Sequence, residues 1–323
     1  MATLAPTIAE NETPAPIEAA SEPNEVMLAN GQLCDLSPLA PEQLKELQWE
    51  QEQKFASAIL AYPKGSNERA LVTGQAYNTV CSILAAMQEG EEPLEMGMDQ
   101  RYIRLVLNLL ERQYQRGIAR PSLFEVGYGC GKLLEEVRGQ GYNISGIEVS
   151  STMRDQAVEV LGQRQEENLL LGDLLQVDEE SLKIRPTAIY WNDVFEHIAP
   201  DEISDYLNKL YELLAPGGTL VTITPNWLLR PSDVTGDFCP LRTEARGLHL
   251  KEYRLAEVVM LLKQAGFRSI GTPLVSIPGR LITCGGGGRL AKQLLEPMIE
   301  KLPVKLAHLL CRGFAMSITL ARK

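Results

Sequence analysis

The chain has 323 residues, 45% hydrophobic and 23% charged, an ordinary globular composition. Its 31 Lys and Arg against 42 Asp and Glu leave a net charge of −11, which argues against nucleic acid as a partner, because an acidic surface repels phosphate. No run of about 18 apolar residues occurs, so no transmembrane segment is expected, and the start MATLAPTIAENETPAPIEAASEPNE lacks the basic and apolar regions of a secretory signal, so a cytoplasmic protein is expected.

Residues 1–26 are rich in Ala, Pro, Glu and Thr and read as a disordered tail. Residues 27–120 read as a helical N-terminal cap. Helical spacing predicts helices over Leu39–Ala61, Glu68–Met87 and Asp99–Arg116, with Pro63-Lys64-Gly65-Ser66 and Gly117 as breaks. From residue 121 the pattern changes. Short apolar runs at Leu123–Val126, Ile144–Val149, Leu169–Leu171, Ala188–Trp191 and Thr219–Thr224 alternate with helical stretches, the rhythm of a parallel sheet. Phe267–Ile270 and Phe314–Ala321 read as the last strands. The expected fold is α/β, a Rossmann-like seven-stranded mostly parallel sheet with flanking helices over residues 121–323. Between the last two strands, residues 277–312 form an insertion with four successive glycines (Gly285–Gly288) and a helical stretch broken by Pro297 and Pro303. It is expected to wall the acceptor pocket.

The two ends differ in charge. Residues 1–60 hold ten acids and two bases, and residues 273–323 hold eight bases and two acids. These are either solvated faces of opposite sign, or the basic end is an amphipathic segment that makes a peripheral membrane contact. The six cysteines lie far apart, without a CxxC pair, and read as free thiols. Three histidines and no HExxH pattern give no expectation of a metal.

The richest stretch is Leu123-Phe124-Glu125-Val126-Gly127-Tyr128-Gly129-Cys130-Gly131-Lys132. A buried strand enters a loop with glycine at every second position and then a helix. Glycine lets a ligand approach the backbone, and the helix N-terminus favours a polar ligand there. The dinucleotide fingerprint GxGxxG would need glycine where Lys132 stands. Glu148, at the end of the second strand, lies 17 positions past Gly131, near the distance at which an acid meets ribose hydroxyls. Asp173, after the third strand, could accept from an adenine amine. Either acid alone could be a strand-end turn residue, but the set after that loop speaks for a nucleoside.

With Trp191-Asn192-Asp193-Val194-Phe195-Glu196-His197-Ile198, Leu214-Ala215-Pro216-Gly217-Gly218-Thr219-Leu220, His249-Leu250-Lys251-Glu252-Tyr253 and Leu261–Phe267, the sequence resembles the class I S-adenosylmethionine-dependent methyltransferases, in particular the ubiquinone-methylase-like small-molecule branch. The match covers about residues 121–267. The resemblance implies S-adenosylmethionine as cofactor and S-adenosylhomocysteine as product. It implies that Glu125, Gly127, Gly129 and Gly131 contact the methionyl part, Glu148 the ribose, Asp173 and Leu174 the adenine, that Asn192 lies near the amino-acid end, and that Tyr128 and Val149 also bind the cofactor.

Methyl transfer from a sulfonium is an in-line displacement, so positioning dominates and a base is needed only for a weak nucleophile. Acceptor-side candidates follow the strand ends. His197 and His249 are the candidate bases; each could instead be a cap or loop residue. Asp193, Asn226 and Trp227 could contact substrate, although Trp227 could equally pack its loop. Tyr77 could reach the site from the cap or lie in its core. The expected acceptor is a small, partly apolar molecule, with hydroxyl or carboxylate oxygen favoured. Rival readings are a peptide or protein methyltransferase, a dinucleotide oxidoreductase and a non-catalytic donor-binding protein. The oligomeric state is open.

Overall fold

The computed structural model describes residues 25–88, 99–277, 280–283 and 287–323. Most of the segment expected to be a disordered tail, residues 1–24, lies outside the described residues. Glu25 and Val26 instead belong to a hairpin, β1 (Glu25–Met27) with β2 (Leu33–Asp35), so the cap is not purely helical. Three helices follow: α1 (Pro41–Ala61), α2 (Asn67–Met87) and α3 (Gln100–Gln115). Ser66 starts α2 by accepting the Arg69 N–H (3.1 Å), and Asp99 starts α3 by accepting that of Arg101 (2.8 Å), each satisfying an otherwise orphaned donor.

The sheet is built from β3 (Ser122–Val126), β4 (Asn143–Glu148), β5 (Leu169–Leu171), β6 (Ala188–Asn192), β7 (Thr219–Ile223), β8 (Ser269–Gly271) and a final strand, β11 (Ile318–Arg322). Helices α4 (Lys132–Gly139), α5 (Ser151–Leu161), α6 (Ile203–Leu213), the short α7 (Thr235–Phe238) and α8 (Leu255–Gln264) intervene. Between β8 and β11 come a hairpin, β9 (Pro273–Ile277) with β10 (Arg280–Thr283), and helices α9 (Gly287–Glu300) and α10 (Val304–Gly313).

The strand order is β5-β4-β3-β6-β7-β11-β8, with β11 antiparallel to both neighbours. This is the expected Rossmann-like seven-stranded mostly parallel sheet. Two boundaries shift. Phe267, expected in a strand, is buried core before β8, and Phe314 and Ala315 lie in the turn between α10 and β11. Sequence reading also missed the β9–β10 hairpin, whose strands are short and pair only with each other.

Successive strand residues point to opposite faces. Phe124, Ile189 and Trp191 pack under α6 and α8 with Leu207, Leu210 and Val258. Leu123, Tyr190 and Val221 pack under α3, α4 and α5 with Val106, Leu134 and Ala157. The chain leaves β3 first toward β4 and β5, then crosses back to β6. That reversal opens a crevice at the carboxyl ends of β3 and β6, the place where open α/β sheets bind ligands. No helix among the described residues is long and apolar enough to cross a membrane.

Candidate functional site

A cavity of about 520 Å³ occupies that crevice, within the range of small-molecule and cofactor sites. Its floor is the loop after β3. Gly127, Gly129 and Gly131 all have left-handed backbone, with φ of 69°, 51° and 79°, which explains glycine at every second position. A Cβ on Gly127 would lie 2.6 Å from Val194, whereas nothing lies within 4 Å of one on Gly129. The loop is thus packed from below and open toward the cavity.

Glu148 ties this loop to the next strand end. Its carboxylate accepts the N–H groups of Gly129 (2.9 Å), Val149 (2.8 Å) and Ser150 (3.1 Å). Burial holds its pKa above the ordinary range, against the pull of those three donors. The carboxylate has lone pairs beyond these three bonds, and it lines the cavity. Glu125, under the loop, is 6% exposed and its Oε2 has no hydrogen-bond partner. Burial, then the charge of Glu148, pushes its pKa well up. An orphaned acid beside an open backbone cradle fits a ligand that carries positive charge.

Tyr128, Val149, Leu174 and Asn192 also line the cavity; the Tyr128 hydroxyl donates to the Leu170 carbonyl (3.0 Å). Asp173 does not line it. Its Oδ1 accepts the Leu175 N–H (2.9 Å) and the hydroxyl of Tyr206 (2.7 Å), and Tyr206, a residue without a sequence signal, faces the cavity in its place.

Across from the loop, four groups converge. Asp193, Glu196, His197 and His249 each offer one ligating atom, all within 4.8 Å of one another. Asp193 faces the cavity with φ 58°, a backbone strain that tends to gather at functional sites. Glu196 is fully buried. Its Oε2 accepts the Thr224 hydroxyl (2.9 Å), but no protein donor reaches its Oε1. Burial and the charge of Asp193 raise its pKa far above normal, which favours a shared proton between the two carboxyls. Burial opposes ionisation of Asp193, but that shared proton and the two imidazoles more than offset it and lower its pKa.

His197 ends a 3-10 turn, Phe195–His197. Its Nδ1–H donates to the Leu248 carbonyl (2.9 Å), which leaves Nε2 as the basic nitrogen. Burial and neighbouring His249 bring its pKa down to about 4. His249 stands edge-on to it, ring centroids 4.6 Å apart. Burial also opposes protonation of His249, but Glu252 at 3.5 Å and the charges of Asp193 and Asp233 win and raise its pKa. Tyr77 of α2 closes the row, edge-on to His197 at 5.6 Å. A divalent cation is chemically compatible with two carboxylates and two imidazoles at this spacing, which the count of histidines in the sequence does not anticipate.

The cap reaches the cluster through one residue, Leu248. Glu52 of α1 accepts the Leu248 N–H (3.0 Å), and the Leu248 carbonyl is the acceptor for His197. Neither Glu52 nor Leu248 carries a motif. Glu196 lies beside His197 in the stretch Trp191–Ile198, and an acid in that position is its sequence signal.

Asn226 and Trp227 are placed outside the cavity. Asn226 is buried and donates to Glu296 of α9 (2.7 Å). The Trp227 indole N–H donates to Glu300 (3.0 Å), and the ring lies under the Arg230 guanidinium at 3.9 Å. Both fasten the insertion to the sheet. Among the described residues, none of the insertion lines the cavity. The second wall is Ser232–Val234 and Leu248–His249.

The chain matches the family described as "Methyltransferase domain" over residues 96–270. It is 34% identical over 103 residues to an uncharacterized methyltransferase of Geobacillus kaustophilus (strain HTA426), covering 32% of this chain and 46% of that protein. It is 28% identical over 112 residues to the carboxy-S-adenosyl-L-methionine synthase of Pseudomonas aeruginosa (strain UCBPP-PA14), with the same coverages, 32% and 46%. The chain thus spans about half the length of the curated relatives it matches. A crystal structure of magnesium protoporphyrin IX methyltransferase from Synechocystis PCC 6803 with bound SAH has a TM-score of 0.44 at 16% identity, covering 65% of this chain and 95% of that one. That of a SAM dependent methyltransferase from Archaeoglobus fulgidus has a TM-score of 0.41 at 16% identity, covering 68% and 94%.

Proposed function

We propose, from the premise that this chain belongs to the methyltransferase-domain family, that it moves a methyl group from S-adenosylmethionine to an oxygen of a small, partly apolar acceptor. The observation that carries the donor site is the orphaned Glu125 carboxyl under an open glycine loop. Glu125 and the backbone of Gly127, Gly129 and Gly131 hold the cationic amino-acid end, with Asn192 beside them. Glu148 and Val149 take the ribose. Leu174 and Tyr206 flank the adenine, and Asp173 acts by holding the Tyr206 hydroxyl. S-Adenosylhomocysteine is the product.

A sulfonium methyl is already activated when bound, so this chain's contribution is alignment and exclusion of water. Tyr77, Asp193, His197 and His249 face the acceptor. Neutral His197, with its proton fixed on Nδ1 by Leu248, accepts a hydroxyl proton at Nε2. A second reading rests on Glu196 Oε1, which no protein donor satisfies. On that reading Asp193, Glu196, His197 and His249 would hold a divalent cation, which would supply Lewis-acid activation of an acceptor hydroxyl. Isotope transfer from methyl-labelled donor into metabolite pools, followed by mass determination of the labelled product, tests the proposal. Label found only in protein identifies a peptide or protein acceptor, and donor binding with no labelled product overturns the enzymatic reading.

A further inference from the structure

The helix α9 is arranged inside out. Its buried stripe is Lys292, Glu296 and Ile299, at 4%, 1% and 4% exposure. The Lys292 ammonium donates to the Pro273 carbonyl, and Glu296 accepts from Asn226 (2.7 Å) and the Leu255 N–H (2.9 Å). Its outward stripe is Leu290, Leu294 and Met298, at 56%, 76% and 64% exposure. In α10, Ala307 and Cys311 turn inward, while Leu309 is 67% exposed. Eight of the nineteen exposed large hydrophobic residues among those described fall between Leu274 and Leu309. Helices on water carry charge outside and leucine inside. Here the polar stripe is consumed by internal hydrogen bonds and the apolar stripe is left for something else to cover.

Charge identifies what covers it. Both acids of α9 are occupied internally: Glu296 as above, and Glu300 by Arg230 (3.1 Å) and Arg254 (2.7 Å). The exposed charges of α9, α10 and the turn between them are therefore Lys301, Lys305 and Arg312, on a protein whose net charge is −11. Outward leucines with cations alone at their edge match the acyl boundary and headgroups of an anionic bilayer. A second copy of the chain would set the same three cations against each other. We infer that α9 and α10 dock the protein on an anionic lipid surface, with the leucine stripe entering the headgroup–acyl boundary.

Co-sedimentation of the full chain with phosphatidylglycerol–phosphatidylcholine vesicles tests this. The wild type pellets with these vesicles and not with phosphatidylcholine alone. K305Q/R312Q weakens partitioning about 25-fold, from roughly five-fold for each cation. L294E/M298E abolishes it while leaving the thermal midpoint unchanged, since both side chains are exposed. If the wild type stays in solution with both vesicle types, or partitions equally into both, the inference is overturned. It is also overturned if light scattering finds a dimer that L294E/M298E dissociates, because the stripe is then a contact between copies.

Discussion

Glu196 Oε1 and His249 Nε2 lie 4.0 Å apart, too far for a hydrogen bond and close enough for both to bind one small cation. No protein donor reaches that Glu196 oxygen, and a buried acceptor is rarely left so. Chelation with EDTA is expected to lower turnover at least about ten-fold, with Mn²⁺ or Mg²⁺ restoring it. E196Q is expected to lose the restoration while still binding S-adenosylhomocysteine. Full activity after chelation, with an active E196Q, would mean that only the shared proton fills the gap.

Replacing His197 separates chemistry from donor binding. H197A removes the Nε2 lone pair but touches neither the glycine loop nor Glu148. The expected loss in kcat is about 10²–10⁴-fold, with the donor Kd unchanged in calorimetry. A parallel loss in donor affinity would place His197 on the donor side.

Glu125 makes donor binding and stability depend on pH in opposite directions. Its pKa in the folded protein is raised well above the ordinary carboxylate range, so the folded state binds more protons than the unfolded chain between the two values. Stability therefore falls as pH rises through that window. The thermal midpoint of the free protein is expected to drop as pH rises above the unfolded carboxyl's value of about 4.3, and E125Q to flatten that slope. A cationic donor favours the ionised form, so its binding should release a proton. That release appears as a binding heat that varies with buffer ionisation enthalpy. A heat independent of the buffer would remove Glu125 from the donor site.

Strands were easier to read from the sequence than ligand contacts, and the reasons are physical. A buried parallel strand such as Leu123–Val126 is apolar whichever protein it belongs to, and a loop that needs three left-handed residues shows them as glycine. Asn226 and Trp227 are harder to read because a strand end faces two ways. These residues turn toward α9 rather than into the crevice, and that choice depends on Glu296 and Glu300, some 70 positions away. Asp173 was half legible. It stands at the right strand end, but Tyr206, a core-like aromatic in helical spacing, takes its hydrogen bond and its view of the cavity. The inverted polarity of α9 is visible in the spacing of Leu290, Leu294 and Met298. Which stripe faces inward is decided by the partners of Lys292 and Glu296, and those come from distant segments.

Trp227 should accordingly behave as a structural residue. W227A removes the ring that the Arg230 and Arg254 guanidinium groups approach, at 3.9 Å and 5.5 Å from its centroid, and the indole bond to Glu300. A stability loss of about 2–4 kcal/mol is expected for a large, partly buried aromatic, with kcat of the remaining folded enzyme unchanged. A selective fall in acceptor affinity would return Trp227 to the acceptor site.

The cap contributes more than cover. Glu52 receives the Leu248 N–H, and the Leu248 carbonyl in turn fixes the Nδ1 proton of His197. Gly247, one residue before, has no room for a Cβ, which would stand 2.3 Å from Glu52 Oε2. The backbone at 247–248 is therefore pressed against α1, and the tautomer of His197 depends on it. In E52A the Leu248 N–H loses its acceptor in a buried site. The 247–248 peptide is then free to rotate, which loosens Leu248 and lets its carbonyl, and His197 with it, shift. The expected result is a fall in kcat of about ten-fold, from misalignment rather than loss of a reacting group, with donor affinity intact. In E52Q an amide oxygen can still accept the same N–H, so most of the rate should return. Burial already holds the Glu52 pKa above the ordinary range, so the uncharged amide costs little there. If E52Q were as slow as E52A, the carboxylate charge would be acting on the cluster directly, and the route through Leu248 would be wrong.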